Sequence, residues 1–78
     1  MAREFLEFVI PWLVDYPDEV TIEEVEGEQD TIVYELSVHP DDVGKMIGKR
    51  GRIIRALRVL ARVGGQQDGI RAMVEVVD

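Results

Sequence analysis

The 78-residue chain predicts a single α+β domain, and three observations carry that expectation. Apolar residues recur at helical spacing in residues 2–14 and again in 52–63. Apolar and polar residues alternate in three other stretches, around Val20, Ile32 and Ala72. Turns rich in proline, glycine and acidic residues separate these segments.

The elements follow in order. In residues 2–14, Phe5, Leu6, Phe8, Val9, Trp12 and Leu13 lie near one side of a helix. Pro11 removes the hydrogen bond to the Glu7 carbonyl, so a kink or break is expected there. "DYPDE" is turn chemistry. Val20 and Ile22 alternate with Thr21 and Glu23, and Ile32, Tyr34, Leu36 and Val38 alternate with Val33, Glu35 and Ser37. The polar stretch Glu26 to Asp30 contains Gly27 and joins these two strands as a hairpin. In "HPDD", Pro40 suits the first helical position, and Asp41 and Asp42 suit the positive end of the helix dipole. This helix is short, because Gly48 and Gly51 interrupt it. A second helix is expected from Arg52 to about Val63, then a loop over "GGQQDG". A last strand runs from Arg71 to Val77, with Ala72, Val74 and Val76 on one face.

Composition excludes several functions. There is no cysteine, hence no disulfide, thiolate zinc site or cysteine nucleophile. The N-terminal hydrophobic run is interrupted by Glu4, Glu7 and Pro11 and falls far short of the ~20 apolar residues of a membrane span. No cleavage signal follows it, and a cytoplasmic protein is expected. Neither a nucleophile–base pair nor a ligand cluster is visible, so neither an enzyme nor a cofactor or metal is expected. His39 reads as a capping or surface residue. Asp41 and Asp42 read as dipole partners rather than metal ligands.

The charge is sorted along the chain. The net charge is −7, yet seven of the nine basic residues lie between Lys45 and Arg62, with no acid among them. At the centre of that window, Gly48-Lys49-Arg50-Gly51 separates two helices. Glycine lets a backbone approach a ligand with no Cβ in the way. The amides of a following helix N-terminus suit a phosphate. The segment therefore reads as a clamp on a phosphate backbone, or else as a tight helix–helix turn with solvated cations. It is not a nucleotide-binding P-loop: three residues instead of four separate Gly44 from Gly48, Arg50 follows Lys49, and a helix precedes it.

The second helix favours the clamp. At ~100° per residue, Arg52, Arg55, Arg58 and Arg62 fall within about 120° of one another, and Ile53, Ala56, Leu57, Leu60 and Ala61 take the opposite side. A solvated face normally mixes signs, and this one carries only arginine, which forks onto phosphate and stacks on bases. An overall negative charge does not oppose this reading, because screening over ~8 Å isolates the basic face from the acidic one.

These residues carry a resemblance. "VGKMIGKRGRIIRALRVL" resembles the V-I-G-x-x-G-x-x-I signature of KH domains, with Ile47, Gly48, Gly51 and Ile54 in its places. The preceding helix and strand correspond to the type II arrangement, and the whole chain resembles the small single-KH bacterial proteins of the KhpA type. Pro11 and Met46 are mild departures. The resemblance implies a type II KH domain ordered α-β-β-α-(GxxG)-α-β, with helices on one face of a three-stranded sheet. Residues 1–30 would be the N-terminal extension and residues 31–77 the minimal core.

It also implies single-stranded RNA as the ligand, gripped over about four nucleotides. Gly48 and Gly51 permit the approach, and Lys49, Arg50 and Arg52 meet phosphates. Val43, Ile47 and Ile54 are candidates for the apolar floor of a groove for the bases, Ile54 being equally plain core. Lys45 and Arg55 flank the groove. Arg58 and Arg62 lie further from the loop, and the sequence leaves open whether they meet RNA or are only solvated.

Eight of residues 5–14 are apolar, more than a one-sided helix needs, which suggests a partner. The resemblance implies a homodimer or a heterodimer with a larger KH-and-R3H protein. Through it the resemblance further implies an RNA chaperone and post-transcriptional regulator linked to cell length and peptidoglycan homeostasis. The competing readings are a KH-fold protein–protein module and a ribosome-associated assembly factor.

Overall fold

The computed structural model describes residues 1–77. Helix α1 spans Ala2–Leu13, a short 3₁₀ turn spans Pro17–Glu19, and strands β1 and β2 span Thr21–Glu26 and Thr31–Ser37. Helix α2 spans Pro40–Gln67 and strand β3 spans Arg71–Val77. Within α2, residues 48–51 depart from helical geometry, so it comprises two arms, residues 40–47 and 52–67. The fold is α+β in the expected order. The sheet order is β1-β2-β3, with β1 antiparallel and β3 parallel to β2.

Alternation along the strands sends one set of side chains into the core. Tyr34, Leu36, Ala72 and Val74 are buried, with Ile22, Ile32 and Val76 partly so. The helices cover this face with Leu6, Ile10, Met46, Ile54, Leu57 and Ala61. On the other face, register places Glu23, Glu35 and Glu75 in one row and Val25, Val33 and Met73 in the next.

The expected break at Pro11 does not occur: α1 continues through it to Leu13. Proline removes one N–H and leaves the Glu7 carbonyl without its helical partner, but both residues are exposed, and water serves a carbonyl there. The buried stripe Ala2, Leu6 and Ile10 holds the helix in place from the other side.

A second correction concerns "GGQQDG". Gly64 and Gly65 are helical and buried, and the second arm runs four residues beyond Val63 to Gln67. A Cβ on Gly64 would stand 2.8 Å from the Ala2 amide nitrogen, and one on Gly65 2.9 Å from the Ala72 Cβ. These glycines let α2 touch the start of α1 and β3 at once. The helix then ends through the Ile70 N–H, which donates to the Gly65 carbonyl at 2.9 Å, with Gly69 at φ +72°.

At the other end of α2, the His39 Nδ1 accepts from the Asp41 N–H at 3.0 Å, the expected capping role. The Tyr16 ring stacks on His39 with centroids 3.8 Å apart. Asp42 is fully buried and accepts from the main-chain N–H groups of Asp15 and Tyr16, each at 3.0 Å. It thus ties the segment after α1 to the helix that leads into the glycine turn. Among the described residues, no helix is long and apolar enough to cross a membrane.

Candidate nucleic-acid interface

The turn between the arms of α2 has an unusual backbone. Gly48 is extended, at φ −72° and ψ 178°. Lys49, Arg50 and Gly51 then follow in the left-handed region, at φ +52°, +61° and +71°. Of the two glycines of this turn, Gly51 alone stands at a positive φ. For Lys49 and Arg50 that conformation costs roughly 1–2 kcal/mol each, so strain is held at the point where the sequence concentrates charge. Gly48 needs no special φ, and a Cβ added to it would meet nothing within 4 Å. Its missing side chain serves no internal packing and leaves its outer side open.

Lys49, Arg50, Arg52 and Arg55 are exposed. Among the described residues, neither they nor Arg58 and Arg62 enter an ion pair, whereas Arg3 and Lys45 do. Lys45, a candidate flank of the groove, reaches Asp15 at 2.5 Å and Asp42 at 4.0 Å. The hydrogen bond its ammonium donates to Asp15, reinforced by both carboxylate charges, raises its pKa above the ordinary lysine value. Its charge is engaged away from the turn.

The three apolar candidates separate. Ile47 is 54% exposed beside Gly48, Val43 is half-buried, and Ile54 is 7% exposed and belongs to the core. The Ile54 Cγ2 lies 3.4 Å from where a Gly51 Cβ would stand, so this residue supports the turn from beneath.

The second arm differs from the two-faced helix expected. Its buried face is Ile54, Leu57, Ala61, Gly64 and Gly65, while Ala56, Val59, Leu60 and Val63 are exposed. Arg58 is not merely solvated: its Nε donates to the Val74 carbonyl at 3.2 Å, against the free edge of β3. On α1, Phe8 and Trp12 are 72% and 80% exposed. They lie on the flank opposite Arg3, whose Nη2 donates to the Ile22 carbonyl of β1 at 3.1 Å. Phe8 and Trp12 on α1 and Val59, Leu60 and Val63 on α2 are thus exposed apolar side chains.

A family model described as KhpA/KhpB, KH domain, matches residues 3–76. The chain belongs to the KhpA/KhpB KH-domain family. Within this family it is similar to the RNA-binding protein KhpA of Chlamydia pneumoniae, at 46% identity over 76 residues, covering 97% of this chain and 96% of that one. It is 44% identical to the RNA-binding protein KhpA of Clostridium acetobutylicum over 75 residues, covering 96% of this chain and 99% of the relative. The RNA-binding protein KhpA of Borreliella burgdorferi is 45% identical over 75 residues, covering 96% and 90%. No solved structure matches this chain at a significant level. The α+β order of elements is that of a type II KH domain, as the family implies.

Two features lay outside the sequence reading. The burial of Asp42 had no distinguishing signal, since an aspartate at a helix start is ordinary. The helical character of Gly64 did have one: Leu57, Ala61 and Gly64 continue the buried spacing of the second arm.

Proposed function

We propose that this chain binds single-stranded RNA by clamping its backbone at Gly48-Lys49-Arg50-Gly51. One observation carries the reading. Exposed cations that enter no ion pair among the described residues surround a strained turn whose outer side is open at Gly48. Consecutive turn residues of this kind gather main-chain N–H groups into anion-accepting concavities, and the second arm of α2 begins there with its dipole. Arg52 and Arg55 extend the phosphate track, and Ile47 offers an apolar contact for a base. The names of the relatives as RNA-binding proteins support the same ligand.

Reversing the charge with Lys49→Asp and Arg50→Asp tests the clamp. Both side chains are exposed, and aspartate tolerates left-handed geometry better than most residues. The melting temperature should hold while RNA affinity, read by fluorescence anisotropy, falls at least ~100-fold, or about 2.7 kcal/mol. Wild-type affinity in the folded variant would sink the clamp.

The proposal includes a partner of the same fold, a second copy or a larger KH protein, with which the chain would act in post-transcriptional regulation bearing on cell length and peptidoglycan homeostasis. The exposed apolar side chains Phe8, Trp12, Val59, Leu60 and Val63 support it, since apolar surface left exposed on this scale marks protein contacts. In sedimentation velocity the chain alone should run as a dimer and Trp12→Glu as a monomer. A wild-type monomer would leave only the pairing with a different KH protein.

A further inference from the structure

The face of the sheet turned away from the helices carries two unlike rows. Register aligns Glu23, Glu35 and Glu75 across all three strands, with Val25, Val33 and Met73 beside them. Glu23 and Glu75 are exposed and Glu35, on the central strand, is partly buried. None of the three enters an ion pair among the described residues. Like charges directly opposite one another in a sheet are destabilising, so the row costs stability in the free chain. In the neighbouring row, Val25 and Met73 are each 42% exposed. Both helices pack on the other side of the sheet and leave this one uncovered.

Charge and spacing indicate what fits. At a net charge of −7, the chain as a whole repels a second copy and attracts a cationic partner. The two rows call for basic side chains beside apolar ones. Neighbouring strands lie ~4.8 Å apart, and a helix laid across them repeats a side chain every three or four residues, at ~4.5–6 Å. An extended segment repeats one at ~6.7 Å and is out of step by the third strand. The rows themselves are ~6.7 Å apart along the strands, within the ~10 Å width of one helix. Arg71 ends the same face beyond the apolar row, so a basic stripe has only one favourable placement.

We propose that this face docks a cationic amphipathic helix of a partner protein. Its basic stripe lies on Glu23, Glu35 and Glu75, and its apolar stripe on Val25, Val33 and Met73. The surface is separate from the glycine turn and from the exposed side chains of α1 and α2. It adds a protein ligand to the RNA-binding reading and does not depend on it.

The probe is a fluorescein-labelled, alanine-based peptide of about 18 residues, long enough to form a helix. It carries arginine at every third or fourth position and leucine directly after each arginine, so that the two stripes adjoin. In fluorescence anisotropy it should bind about tenfold more tightly than a scrambled peptide of the same composition, because only its leucines meet the apolar row together. Glu35→Lys relieves the acidic row, so the melting temperature should hold or rise. Its affinity for the patterned peptide should nevertheless fall at least about tenfold through like-charge contact. Glu28→Lys makes the same change in net charge at the hairpin tip and should leave binding within about twofold, being screened from the row. Without peptide, wild type and Glu35→Lys should sediment alike. Four results would overturn the proposal: equal binding of both peptides, equal losses in the two variants, wild-type affinity in Glu35→Lys, or a change in sedimentation, which would assign the face to a second copy.

Discussion

Gly48 and Gly51 bracket the turn of α2, while Gly64 and Gly65 lie side by side in its second arm. In sequence both pairs look like interruptions of a helix. Around Gly64 and Gly65 the space for a Cβ is already taken, by the backbone of Met1 and Ala2 and by Ala72 and Ile70. Around Gly48 that space is empty, and at Gly51 the demand is a positive φ. Gly48 is turned outward, Gly51 serves the backbone of the turn, and the second pair is turned inward. A glycine's role therefore follows from what surrounds its missing side chain, which is a property of the packed molecule.

The inward pair gives the largest expected effect. Gly64→Val forces a branched side chain against the Ala2 backbone, and overpacking of this kind costs typically 1–3 kcal/mol. The melting temperature should fall by roughly 5–20 °C for a domain of this size, and RNA binding should be lost only in proportion to unfolding. An unchanged melting temperature would mean that α1 does not press on α2 at this point.

Gly48→Ala should do the reverse. Its φ is ordinary and its surroundings are empty, so alanine should leave the melting temperature the same or slightly higher through a less flexible unfolded chain. RNA affinity should fall several-fold, because the new methyl stands where the backbone of the ligand approaches. Undiminished affinity would show that the open side of Gly48 is not where the RNA lies.

The smallest effect sharpens the outward half of the comparison. If the turn and the cations after it meet about four nucleotides, with ~0.7 per contacted phosphate, log affinity against log salt should slope at roughly −2 to −3. Anisotropy across ~50–200 mM salt reads the slope, and duplex RNA of the same length should compete poorly. A flat response, or equal affinity for duplex, would assign the arginines to a protein partner.

Much of the molecule was legible in one dimension. Alternation identified the strands, and their burial follows it at Tyr34, Leu36, Ala72 and Val74. Proline and aspartates after His39 marked the start of α2, and the glycines with their two cations marked the turn. These features are local: period, capping and turn chemistry depend on neighbours within a few residues.

What sequence determined by itself is the order of elements, the α+β class and the position of the charged turn. Tertiary structure alone decided that Lys45 is engaged by Asp15, that Arg58 lies on the Val74 carbonyl, and that Phe8 and Trp12 stay exposed. It also decided that Lys49 and Arg50, rather than Gly48, take the left-handed geometry. The physical reason is one of distance along the chain. An ion pair, a strand-edge contact or a filled Cβ position joins residues far apart in sequence, and only packing brings them within reach.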